Sequence, residues 1–212
     1  MLKMQHKFPQ GFLWGGAIAA SQADGGFRED QKGMSIADFH PYRNIKNRDD
    51  RKEDSTIRND ENFLVIEPGL YYPKQHGVDF YHRFEEDLGL MEEMGFKAFR
   101  TSFDWSRIYP KGDEEKPNEA GLRYYDRLIT SIRSHGMEPF MTISHYEMPV
   151  HLVKKYGGWL NRSLVDFFAA YCNTLFERYH GQIKYWIVFN QINLTTFNSL
   201  GILGNRAKNF ME

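Results

Sequence analysis

Trp186-Ile187-Val188-Phe189-Asn190-Gln191-Ile192-Asn193 is the stretch that decides the reading of this chain. With Tyr185 before it, the segment opens as a short β-rich apolar run and turns polar at once. That profile suits a buried parallel strand delivering side chains to its C-terminal mouth. Asn190 and Gln191 stand at that mouth. Taken alone they read as loop-capping amides, but three further runs share the profile: Phe12 to Ala17, Ala98 to Phe103, and Pro139 to Ser144.

Helical patterns lie between these strands. Phe80, Phe84, Leu88, Met91 and Met94 recur at spacings of four and three, as do Leu122, Tyr125, Ile129 and Ile132. Leu164, Phe168, Tyr171 and Leu175 form a third stripe, so each segment has one apolar face. Asn118 is positioned to cap the second helix, and Ser163 with Asp166 has the spacing of a capping box opening the third. The resulting order, β-α-β-α-β-α-β, calls for a parallel sheet with crossover helices, either doubly wound or a (β/α) barrel. Periodicity does not separate the two. Polar residues directly after several strands favour the barrel, whose active site gathers at strand C-termini. A complete barrel has eight such units in about 250 residues, whereas this sequence offers about four. The expectation is an α/β chain of the (β/α)8 TIM-barrel type holding the first four βα units, an unclosed half-barrel that forms one domain over residues 1–212. Gly25 to Gly77 is dense in charge and turn residues and shows no sustained period. It reads as a long solvated loop after the first strand, or else as a rim element at the pocket mouth.

Composition narrows the function classes. The chain has 212 residues, 41% hydrophobic and 16% aromatic, enough to bury a sizeable core, and its formal net charge is -1. No basic cluster suggests nucleic acid or an anionic membrane surface, and no ligand spacing suggests zinc. Cys172 is the single cysteine, which excludes an internal disulfide framework and fits a reducing compartment. Met1 to Gln10 lacks the apolar stretch of a secretory signal, and no run reaches membrane-spanning length. A cytoplasmic protein is the expectation.

Four motifs carry the chemistry. Phe12-Leu13-Trp14-Gly15-Gly16-Ala17 leads to Gln22-Ala23-Asp24-Gly25, and Arg100-Thr-Ser-Phe-Asp-Trp-Ser-Arg-Ile-Tyr-Pro110 begins inside the second strand. His145-Tyr-Glu-Met-Pro149 follows the third strand and is continued by Tyr156-Gly-Gly-Trp-Leu-Asn-Arg162; Phe189-Asn190-Gln191-Ile192-Asn193 ends the fourth. In order and approximate spacing, from Phe8 to about Asn198, they resemble family 1 glycoside hydrolases of the 6-phospho-β-glucosidase type. Tyr146, where many members have Trp, points to the phospho-sugar subgroup. Two departures stand out. The family's Phe-Asn-Glu-Ile-Asn is here Phe-Asn-Gln-Ile-Asn, and its Gln-x-Glu-Gly ends in Asp24, to which no role is carried.

The resemblance implies a retaining mechanism, in which one carboxylate attacks the anomeric carbon while a second protonates the leaving oxygen, the two lying about 5 to 5.5 Å apart. Gln22, His145 and Asn190 would then contact sugar hydroxyls, with the Tyr146 ring beside the sugar. Arg100 would lie next to the nucleophile and hold it ionised. Gln191 takes the place of the general acid/base, and an amide cannot deliver or accept a proton at working pH. The nucleophile belongs to a Glu-Asn-Gly motif that these 212 residues do not contain. The isolated chain is therefore expected to be inactive or severely impaired on a sugar or sugar phosphate, and no metal or organic cofactor is implied. Two non-catalytic alternatives stand beside this reading. One is a half-barrel that associates through exposed strand edges with a complementary half or its own copy. The other is a remnant that binds sugar through Gln22, His145 and Asn190.

Overall fold

The computed structural model of the chain describes residues 8–42, 64–193 and 204. Its centre is an all-parallel sheet of β1 (Gly15–Ala17), β2 (Ala98–Ser102), β3 (Glu138–Ser144) and β4 (Tyr185–Phe189), in that spatial order. Strands that neighbour one another in sequence neighbour one another in space, with no switch point. A sheet that winds in one direction is a barrel segment; a doubly wound sheet reverses. The choice left open by periodicity is thereby made, and the four strands among the described residues form part of a barrel.

Three long helices cover one face: α3 (Phe80–Glu93), α5 (Glu119–Ser134) and α7 (Ser163–Arg178), with shorter turns α1 (Ala20–Ala23), α2 (Pro73–His76), α4 (Trp105–Ile108) and α6 (Val150–Tyr156). Phe99, Met141 and Ile143 point from the sheet into this layer and are fully buried. Facing them are Phe80, Phe84 and Leu88 of α3, Leu122, Tyr125, Ile129 and Ile132 of α5, and Leu164, Tyr171 and Leu175 of α7. Each such side chain contributes about 1.5 to 3 kcal/mol on burial, so the three stripes fix which face of every helix turns inward. The other sheet face carries Arg100, Phe140 and Tyr185 in one register row, and Phe140 stacks on Tyr185 at 4.3 Å.

Several boundaries differ from the sequence reading. Pairing of the first strand begins only at Gly15, and Phe12 and Trp14 are 46% and 55% exposed, forming a cluster of three rings with Phe8. Gly15 runs so close to β2 that a Cβ there would fall 1.8 Å from the Ala98 carbonyl oxygen. Met94 lies past the end of α3 as its C-cap and is exposed, so it is not part of the buried stripe. Asn118 caps α5 as expected, its side chain accepting from the Ala120 N–H at 3.2 Å. Ser163 and Asp166 form no capping box: Asn161 takes the role by accepting from the Ser163 N–H at 3.0 Å.

The loop after β1 is the largest departure. Its 43–63 portion lies outside the described residues. The part before it is packed, not solvated: Ile36 and Phe39 join the core, and Ser35 bridges Pro149. Backbone bonds from Ile36 N to Met148 O and from Val150 N to Met34 O pin it to the segment after β3. Lys32 is buried between Asp38 at 2.8 Å and Asp104 at 3.4 Å, an ion triad that charge density alone disguised as a surface feature.

Candidate active site

The four described strands end at the same rim, where a polar residue of β2 meets those after β3 and β4. Arg100 rises from β2 half-buried, donating from Nε to Thr142 Oγ1 at 3.1 Å and from Nη2 to Asn190 Oδ1 at 2.7 Å. Its partners are both neutral, and it forms no ion pair with a carboxylate among the described residues. A half-buried cation held only by neutral acceptors is electrostatically unfinished, because its lost hydration is repaid best by an anion.

Asn190 is the centre of the cluster. Its backbone N–H bonds Ser144 O at 3.0 Å, extending the β3–β4 ladder by one step and fixing where its side chain emerges. Nδ2 then donates to Tyr146 Oη at 3.2 Å and to Gln191 Oε1 at 3.3 Å. Tyr146 Oη reaches back to Asn190 O and Gln191 Oε1 at 3.2 and 3.3 Å. Arg100, Tyr146, Asn190 and Gln191 thus form one hydrogen-bonded group. Tyr146 and Gln191 both have left-handed backbone, φ 77° and 44°. Such geometry costs non-glycine residues about 1 to 2 kcal/mol each and collects where function demands it.

His145 stands beside Tyr146, ring centroids 5.1 Å apart, and its Nδ1 is buried without a hydrogen-bond partner. Burial lowers its pKa, and the nearby Arg100 and Lys74 charges push the same way, so the ring is neutral at pH 7. Gln22 lies on α1 directly after β1, exposed and outside the hydrogen-bonded group.

Sequence reading missed two buried acids at this rim. Glu147, two residues beyond His145, is 2% exposed. Burial and the neighbouring Asp104 charge raise its pKa to about 8, opposed by hydrogen bonds from Ser21 and His145. Asp24 is equally buried, its pKa raised to about 7 by desolvation against the pull of Arg107. Neither Asp24 oxygen is satisfied by a hydrogen bond, and Arg107 Nε and Nη1 are likewise left over. The Arg107 guanidinium lies over the Tyr81 and Tyr124 rings at 4.6 and 5.1 Å and donates to Gly25 O and Gly26 O. Only the motif positions hinted at these residues; nothing in local polarity signals that they are buried.

The glycosyl hydrolase family 1 model matches residues 4–63 and 69–204. The chain is 50% identical over 194 residues to the aryl-phospho-beta-D-glucosidase BglH of Bacillus subtilis, covering 92% of this chain and 38% of that protein. It is 42% identical over 207 residues to the 6-phospho-beta-glucosidase AscB of Escherichia coli, covering 95% and 42%. A mutant of the rice Os3BGlu6 beta-glucosidase in a covalent complex with Glc superposes with a TM-score of 0.73 at 36% identity, over 91% of this chain and 36% of the other. The family 1 beta-glucosidase of Thermotoga maritima in complex with glucoimidazole gives 0.70 at 35% identity, over 92% and 39%. The chain therefore spans about two fifths of the length of the curated relatives it matches. With its matched residues running through all four strands and every motif at the rim, this chain belongs to glycosyl hydrolase family 1.

Proposed function

We propose that this polypeptide forms the sugar-facing first part of a retaining 6-phospho-β-glucosidase site, acting on phosphorylated β-glucosides in carbohydrate metabolism. In this reading Gln22, His145 and Asn190 address sugar hydroxyls. The Tyr146 ring flanks the sugar. Arg100 awaits the nucleophilic carboxylate and holds it ionised once present. Gln191 occupies the acid/base position, where its amide can accept a hydrogen bond but cannot transfer a proton to the leaving oxygen. A phosphorylated substrate places the reaction inside the cell, where such sugars are kept.

One observation carries the reading: a half-buried Arg100 that meets only neutral partners among the described residues, hydrogen-bonded to Asn190 beside Gln191. Support for the phospho-sugar class comes from relatives such as BglH and AscB, whose names specify phospho-β-glucosides. The 212 residues lack a Glu-Asn-Gly nucleophile segment, so they alone should not hydrolyse glycosides. The test is turnover of a chromogenic 6-phospho-β-glucoside by homogeneous protein. None is expected, and turnover abolished by Arg100→Met would refute the proposal.

A second reading, self-association or pairing with a complementary half, draws on the sheet order. β1 and β4 are its outer strands among the described residues, and Val188 of β4 is 47% exposed. Unpaired edges recruit other strands. Light scattering on the purified chain should find a dimer or larger species; a compact monomer at high concentration would remove this reading.

A further inference from the structure

Glu147 touches three separate strand mouths. One oxygen, Oε2, accepts from the His145 backbone N–H at 2.9 Å, in the turn after β3. The other, Oε1, accepts from the Ser21 backbone N–H at 3.3 Å, in the turn after β1, and from Ser102 Oγ at 3.4 Å, at the end of β2. Ser102 Oγ in turn accepts from the Ala20 N–H at 2.8 Å. The residues so joined each adjoin a proposed sugar contact: Ser21 precedes Gln22, Ser102 lies two residues beyond Arg100, and His145 is itself one.

We infer that Glu147 is a positioning residue, a buried carboxyl that holds the Gln22 turn, the Arg100 strand and the His145–Tyr146 turn in mutual register for the sugar. This rests on the functional reading above. The ionised carboxyl suits the task because its two acceptor oxygens gather donors that would otherwise be unpaired, the backbone N–H groups of Ser21 and His145 and the Ser102 hydroxyl; below about pH 8 a proton occupies one of those oxygens. Without it the left-handed Tyr146 turn, φ 77°, loses the adjacent anchor at His145 N. Distance along the chain makes local alternatives unavailable, since Ser21 and Glu147 are 126 residues apart.

The charged and titratable groups facing Glu147 are few. Asp104, ahead of α4, repels its charge; Tyr146 beside it and Tyr171 of α7 are each raised by that charge. Arg100 and Lys74 act on the neighbouring His145 ring. With burial dominant, the proton leaves Glu147 near pH 8, far from where an exposed carboxyl loses its own. Its loss should be felt at once by all three anchored donors.

The experiment is a pH titration of the 212-residue chain by proton–nitrogen NMR, with calorimetry using glucose 6-phosphate. The amide resonances of Ser21 and His145 should move together with one midpoint near 8. Glu147→Gln should abolish that transition and weaken glucose 6-phosphate at least fivefold. Ser102→Ala, which removes a donor to the carboxylate, should shift the common midpoint upward, and it tests the hub even if the first variant fails to fold. Amides that titrate separately, or a transition that survives in Glu147→Gln, would overturn the inference. So would unchanged sugar affinity in Glu147→Gln. If the unaltered chain gives no heat with millimolar glucose 6-phosphate while the amides still move as one, the sugar reading of the isolated chain fails and the three-strand anchor stands.

Discussion

Arg100 and Asp24 illustrate opposite fates of a buried charge. Arg100 spends its donors on Thr142 and Asn190 and finds no anion among the described residues. A side chain kept for ligand chemistry usually costs the fold stability, so Arg100→Met should leave the melting temperature unchanged or raise stability by about 1 kcal/mol. The same change should weaken glucose 6-phosphate at least tenfold, measured by calorimetry; a large loss of stability would mark Arg100 as structural instead. Asp24 has a cation nearby yet is held neutral by burial, its pKa about 7 against 3.8 when unfolded. The sign follows directly. Between about pH 4 and 7 the unfolded chain releases a proton that the folded chain keeps, so this group makes stability fall as pH rises through that window. Its full penalty, at most about 4 kcal/mol, applies above the folded pKa. Asp24→Asn should flatten the decline in denaturation midpoint between pH 5 and 8; an unaltered slope would show that Asp24 ionises normally.

Among the elements, Asn118 does more than its position suggests. Besides capping α5 through Ala120 N, its Nδ2 donates to Asp30 O at 2.6 Å and Arg107 O at 2.9 Å, tying the loop after β1 to α4 and α5. Asn118→Ala should cost about 2 kcal/mol, above an ordinary cap, because two partly buried carbonyls lose their donor along with the helix terminus. Urea unfolding reads this directly, and a loss under about 0.5 kcal/mol would count against the triple role. Asn118 was legible in the sequence because a cap needs only an amide ahead of an amphipathic run. Strands β2, β3 and β4 were legible for a similar local reason, an apolar run closed by polar residues. Ser163 misled because Asn161, two residues earlier, competes for the same N–H and wins. The packed loop was opaque because Lys32 meets Asp104 across 72 positions, and long-range ion pairing leaves no periodic trace. Glu147 was hidden because its partners are distant in sequence: Ser21 in the turn after β1 and Ser102 at the end of β2.

At the scale of the whole molecule, four parallel strands bring residues from four distant motifs to one rim, and the order of the sheet does this without help from any single contact. Arg100, Tyr146, Asn190 and Gln191 form one hydrogen-bonded group there, while Gln22 stands apart on its exposed turn. The fold class could be read because polar residues directly after several strands favour a barrel over a doubly wound sheet; the finished site could not, because among the described residues Arg100 meets only neutral acceptors. On the proposed reading, Gln191 occupies the proton-transfer position of a glycosidase site that this chain only partly supplies. The most direct test joins the chain to the remaining C-terminal portion of BglH and measures turnover of a 6-phospho-β-glucoside with a poor leaving group, for the sequence as it stands and for Gln191→Glu. The substitution should raise kcat at least a hundredfold and restore a bell-shaped pH profile. Equal rates in the two forms, or activity lost on introducing the carboxyl, would contradict that reading.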